Sequence, residues 1–151
     1  MITALLGFAV GIALALVGWS LNRLQAVITR RDEQRQAAAA FRFELETNLL
    51  WLQNVLGSLN YLRDEAWIKM KNEGYASYLK RPIPVTIIQV YDELHRFNHN
   101  LKLLKEREPS AQNWLNKEAP RDADGLASNI KALIHQLDST YPEIARNFAG
   151  D

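Results

Sequence analysis

The 151-residue chain contains no cysteine, which excludes a disulfide framework, thiolate nucleophiles and sulfur-ligated zinc. That absence agrees with a reducing compartment. The first 22 residues carry no ionisable side chain, and the first charge is Arg23. No proline precedes Pro82 and no glycine lies between Gly18 and Gly57. Nothing therefore interrupts a helix that starts in the amino-terminal run and continues far into the chain. Neither charge sign dominates: 18 Lys and Arg face 17 Asp and Glu, for a net charge of +1. Nucleic acid is not an expected partner, because binding it needs a clear cationic excess. Internal repeats, a phosphate-cradling glycine loop and a Gly-x-Ser-x-Gly elbow are also missing.

What is present begins with Ile2–Leu21, ITALLGFAVGIALALVGWSL, a length that suits a helix crossing the hydrocarbon core, roughly 20 residues. A secretory signal would have a basic segment before a shorter apolar run and a small-x-small site after it. Here nothing basic precedes the run, and Ala13 and Ala15 sit inside it. Trp19, Arg23, Arg30 and Arg31 read as membrane-interface anchors at the exit. The expectation is a retained transmembrane helix over residues 1–22. Because Arg23, Arg30, Arg31 and Arg35 all follow it, the amino terminus is expected outside the cell (inner) membrane and the remainder in the cytoplasm. Ala4, Gly7, Gly11, Ala15 and Gly18 recur at spacings of three and four. Such a stripe lets another helix approach closely, which points to homo-oligomerisation or docking on a larger membrane complex. The alternative is that it faces lipid, with Phe8, Ile12 and Leu16 forming the bulky opposite face.

Residues 23–40 read as a helical juxtamembrane spacer, since Thr29–Gln36 is polar on every face. Residues 41–151 read as one helical domain with a modest core. Phe41, Leu45, Leu49, Leu52, Leu56, Leu59 and Leu62 form one stripe, widened by Leu50, Trp51 and Val55. That pattern predicts an unbroken helix to Asn72–Glu73, capped by Gly74. A connector over Tyr75–Pro84 follows, tucking Tyr78 and Leu79 under the bundle. A second helix starts near Pro84, with Ile87, Val90, Leu94, Phe97, Leu101 and Leu104 inward, and stops at Glu108–Pro109. Ser110–Asn116 adds a turn that carries Trp114 and Leu115. Asp122 or Asp124 caps a third helix with Leu126, Ile130, Leu133, Ile134 and Leu137 inward. Thr140–Glu143 is a capping-box signature for a short last helix bearing Ile144 and Phe148. The expected fold is all-α: a transmembrane helix continuing into an antiparallel three-helix bundle with a short carboxy-terminal helix.

Chemistry is sparse. His95 and His99 have metal-chelating spacing, but the helical wheel sets them about 100° and 140° from the apolar stripe and apart from His135. No metal or cofactor is expected. Asn48 and Asn98 lie close to the apolar stripes, where an unpartnered amide costs about 1–3 kcal/mol. They suggest a polar core layer with Arg42 and Tyr91, serving either to fix register or to bind a ligand. Glu44, Glu46, Asp64, Glu65, Asp92 and Glu93 fall mainly on polar faces, and no third group completes an acid–base constellation. An enzyme is not expected.

The pattern Arg42-x-Glu44-Leu45-x-x-Asn48, then Trp67 and Gly74-Tyr75, then Tyr91-x-x-Leu94-x-x-Phe97-Asn98 is similar to a loose group of uncharacterised prokaryotic membrane proteins. These have one amino-terminal span and a cytoplasmic helical domain. The resemblance covers roughly residues 1–105 and implies a membrane-tethered α-bundle in which Asn48 and Asn98 share a polar core. It implies no activity. The expectation is a non-catalytic, membrane-anchored interaction protein, an accessory subunit of a larger assembly. The alternative is a tethered ligand sensor using the polar layer.

Overall fold

A computed structural model describes the backbone of residues 2–73, 79–80 and 83–148, and the side chains of residues 14–72, 79–80 and 83–145. The described residues form seven helices and no strand: α1 (Ile2–Leu52), α2 (Val55–Ser58), α3 (Glu65–Glu73), α4 (Ile83–Lys105), α5 (Pro109–Lys117), α6 (Ala119–Thr140) and α7 (Pro142–Phe148). Two compact units divide the chain, residues 1–34 and residues 35–151.

In the first unit, the large apolar side chains from Leu14 to Ile28 are between 49% and 68% exposed. Among the described residues no helix is long and apolar enough to cross a membrane. The side chains of residues 2–13, most of the predicted span, lie outside the described residues, and Gly7 and Gly11 lie among these.

The second unit includes Ala38, which is fully buried, and Arg35, which bonds Glu143 at 2.8 Å. Its core takes Phe41, Leu45 and Leu52 from α1, together with Ile83, Ile87, Val90, Leu94, Phe97 and Leu101 from α4. From α6 come Leu126, Ile130, Leu133 and Leu137. These are the stripes of period 3.6 that a helix needs to bury one face. Leu104 and Ile134 pack against the rim.

The long helices are not all antiparallel. Along α1 and α6, Arg42 meets Asp138 while Leu49 and Ala127 line one cleft, so residue numbers run in opposite senses. Along α4 and α6, Glu93 meets Asn129 while Thr86 and Ala132 line one cleft, again in opposite senses. Helices α1 and α4 are therefore parallel to each other. The described part of the return between them, residues 53–73, is not a short hairpin connection.

That return is where the predicted first helix breaks. It does not reach Asn72; α1 ends at Leu52, α2 adds four residues, and Leu59 takes a left-handed φ of 52°. Leu50 and Trp51, expected to widen the buried stripe, are instead 64% and 39% exposed. Gly74 and Tyr78 lie outside the described residues, whereas Leu79 is buried. The expected Asp122 or Asp124 cap does not form. Glu118 precedes α6 without a side-chain cap, and Asp122 accepts a 2.7 Å bond from the Trp114 indole. Trp114 also meets Phe97 edge-on at 5.3 Å, so it ties α5 to both α4 and α6. Thr140 ends α6 rather than capping α7, and Tyr141 forms the joint.

Helix α4 ends in a Schellman arrangement. The Glu108 N–H reaches the Leu103 carbonyl and the Arg107 N–H reaches Leu104, both at 3.0 Å. Arg107 sits at the left-handed position with φ 61°, where glycine is usual because it has no Cβ to clash. Arg107→Gly is expected to raise stability by about 1 kcal/mol, read as a higher chemical-denaturation midpoint of the full chain in mild detergent.

Candidate functional site

Three of the four polar residues singled out by the sequence, Asn48, Tyr91 and Asn98, flank the return segment, residues 59–68, which runs between α1 and α4. From Leu59 to Asp64 this strap has almost no helical bonding of its own, so its buried amides need other partners. Two asparagines supply them. Asn48 on α1 accepts from the Arg63 N–H at 2.7 Å and donates to the Arg63 carbonyl at 2.8 Å. Asn98 on α4 does the same one residue earlier, accepting from Leu62 N–H at 2.8 Å and donating to the Leu62 carbonyl at 2.9 Å. Each carboxamide presents an acceptor and a donor side by side, matching one residue's N–H and C=O. The four backbone groups of two successive residues are thus satisfied from opposite sides.

The strap then enters α3, and its first turn meets a carboxylate. Glu44, one turn before Asn48 on α1, accepts from the Ala66 N–H at 2.7 Å. Its other oxygen accepts from the Tyr91 hydroxyl of α4. A negative group at a helix amino terminus is favourable both for the free N–H and for the helix dipole. Glu44 is only 5% exposed. Burial pushes its carboxyl above the usual carboxylate range, against the Ala66 and Tyr91 hydrogen bonds, which favour the anion. Neighbouring Glu65 moves the other way, held down mainly by its hydrogen bond from the Arg63 guanidinium. Tyr91 is fully buried, and its phenol is raised far above its ordinary value, first by burial and then by the Glu44 charge. Trp67 stacks on the Tyr91 ring at 5.4 Å, and Phe41 meets it edge-on at 5.8 Å. At the outer edge Asp64 meets His95 at 2.9 Å.

The predicted polar layer is therefore reorganised. Asn48, Tyr91 and Asn98 do converge on one feature, but the asparagines bond the strap instead of one another, and Tyr91 donates to Glu44 and stacks on Trp67. Arg42 is elsewhere: its guanidinium grips Asp138 of α6 at 2.6 Å and Glu46 at 2.8 Å. The Asp138 hydrogen bond is the main reason its pKa is raised. Glu44, assigned by sequence to a polar face, is the missing member of the layer. Its position three after Phe41 and four before Asn48 was the available signal. The histidines stand exposed, and no group of three metal-ligating side chains occurs among the described residues.

Chemically, this site closes on itself. Asn48 and Asn98 spend both amide ends on the strap, and Glu44 and Tyr91 are engaged and shielded from water. The arrangement suits fixing a non-helical segment in a helical core, with one donor and one acceptor of each amide committed to the strap. At the other end of the predicted site set, Arg23 lies 4.8 Å over the Trp19 ring. Ala15, Arg30 and Arg31 are exposed, and a Cβ added at Gly18 would meet nothing within 4 Å.

Asn48→Ala and Asn98→Ala are each expected to cost about 2–3 kcal/mol, because each strands a donor and an acceptor of the strap. Their double mutant should cost less than the sum, since release of Leu62 also frees Arg63. Denaturant titration of the full chain in mild detergent reads both.

The sign of the Glu44 effect is also fixed. Its folded-state pKa is raised above the ordinary value of 4.5, so the stability it contributes is complete below the unfolded pKa and is lost as pH rises through the folded one. Glu65 and the exposed Glu143, held down first by its own backbone N–H and then by Arg35, act oppositely and weaken the fold as pH falls. Glu44→Gln keeps an acceptor for Ala66 and a donor for the Tyr91 oxygen. Subtracting its stability from wild type at each pH should give a difference that declines above pH 4.5. A flat difference would mean that Glu44 titrates normally.

Compared with protein-family models, with curated proteins and with solved structures, the chain matches none.

Proposed function

We propose that the chain is a non-catalytic, single-pass membrane protein whose helical bundle serves as an interaction module, an accessory subunit of a larger membrane assembly. The observation that carries the anchor is the charge-free run Ile2–Leu21 within α1. Its described large residues, Leu14, Leu16, Val17, Trp19 and Leu21, are all more than half exposed. A continuous apolar helix of this kind needs a cover, and a bilayer supplies one. Trp19 and Arg23, in contact at the end of the run, suit the headgroup level. The basic residues that follow favour a cytoplasmic bundle. Phe43, Leu50 and Trp51, exposed along one stretch of α1, support a role in contacts with other proteins. The bonds from Asn48 and Asn98 to the strap favour a register-fixing role for the polar layer over ligand sensing.

The cysteine-free chain makes topology directly measurable. With single cysteines in the full chain, Thr3→Cys is expected to react with a membrane-impermeant maleimide on intact cells. Ser110→Cys should react only after permeabilisation, and both proteins should stay with membranes through alkaline extraction. Release by the alkaline wash removes the anchor; the opposite labelling pattern removes the orientation. The interaction role fails if mild detergent yields only monomer without a stoichiometric companion.

A further inference from the structure

Within α1, Leu14, Val17, Leu21, Leu24 and Ile28 repeat at 3-4-3-4 spacing and are 68%, 55%, 60%, 57% and 51% exposed. This is the seam of a two-stranded coiled coil, in which every a and d position is apolar. We infer that a second copy of the chain covers this seam, the two α1 helices running parallel and in register. The inference rests on the membrane anchor above, because two copies inserted the same way must present their helices in the same direction.

Three observations select this occupant. First, Leu24 and Ile28 lie beyond Arg23, where the charge-free run has ended. Acyl chains that cover Leu14 to Leu21 do not account for them, and a helix does. Second, the seam is self-complementary. None of its five residues is charged, so identical stripes meet across a two-fold axis without opposing like charges. Third, the flanking positions Gly18, Ser20, Gln25 and Val27 are also uncharged. Pairs between different chains are commonly sorted by charges at those positions, and this seam carries no such sorting device. The open space around Gly18 allows close approach of a second backbone on that side.

The seam stops where the repeat next calls for Arg31 and Arg35, the latter bonded to Glu143 of its own bundle. Only Leu24 and Ile28 lie beyond the charge-free run, and at roughly 80 Å² each they remove on the order of 320 Å² from water in a pair, while Leu14, Val17 and Leu21 exchange lipid for helix. That falls below the about 1,200 Å² at which stable interfaces begin. The described seam is thus short for a dimer in free solution. Confinement to one membrane raises the effective concentration of the partner, and Val10 and Gly7 continue the same repeat in the sequence.

The test is disulfide trapping in native membranes with one cysteine per full-length chain. Leu21→Cys, Leu24→Cys and Ile28→Cys are expected to give covalent dimer under mild oxidation at least several-fold above Asn22→Cys, Ala26→Cys and Thr29→Cys. Leu24→Glu, combined with Leu21→Cys, should abolish the dimer while helix content is kept. Membrane-bound protein with no dimer, or with equal dimer at all six positions, overturns the pairing and leaves the anchor standing. Maxima shifted to the Asn22 side overturn this seam in favour of the small-residue stripe. Failure to recover the protein in membranes overturns the anchor and the pairing with it.

Discussion

An extended stretch of backbone inside a helical bundle is the constraint on which the rest of this structure depends. Helices satisfy their own amides, whereas a strap between two of them cannot, and each buried group left unpaired costs about 1–3 kcal/mol. Four such groups at Leu62 and Arg63 would consume most of a typical stability of about 5–15 kcal/mol. Asn48 and Asn98 remove the problem by offering each residue the pairing that a neighbouring strand would give. With the strap fixed at those two residues, Ala66 arrives over Glu44, and Trp67 arrives on the face of Tyr91.

The strap also explains the order of the helices. A chain that must return between α1 and α4 sets them parallel and leaves the antiparallel contacts to α6. The charged pairs follow that division. Arg42, turned towards α6, finds Asp138, while Glu44 and Asn48, turned towards the strap, find backbone. One helix thus uses ions on one side and amide complementarity on the other.

Much of the bundle was legible in the sequence. The stripes of α4 and α6 were read almost residue for residue, because long amphipathic helices announce themselves by period alone. The break after Leu52 was not, since Leu56, Leu59 and Leu62 keep helical spacing across a segment that is mostly not helix. A second signal was present: Asn54, Gly57 and Asn60 interrupt the same stretch at intervals of three. Asn48 and Asn98 were recognised as near-core polar groups, but their partners were hidden. They bind main chain, and main chain carries no mark in a sequence. Glu44 was missed because a carboxylate reads as a surface residue until a phenol and a helix terminus are found beside it.

The clamp has a consequence for how the chain can vary. It grips Arg63 only through N–H and C=O, and the Arg63 side chain points to the half-exposed edge, where it meets Glu65. Position 63 is therefore open to almost any amino acid. Proline is excluded, because it has no N–H for Asn48 to accept. Leu62 is held in the same way yet is buried in the core, so it must satisfy both shape and backbone. Two adjacent residues under the same clamp are thus subject to very different degrees of sequence freedom.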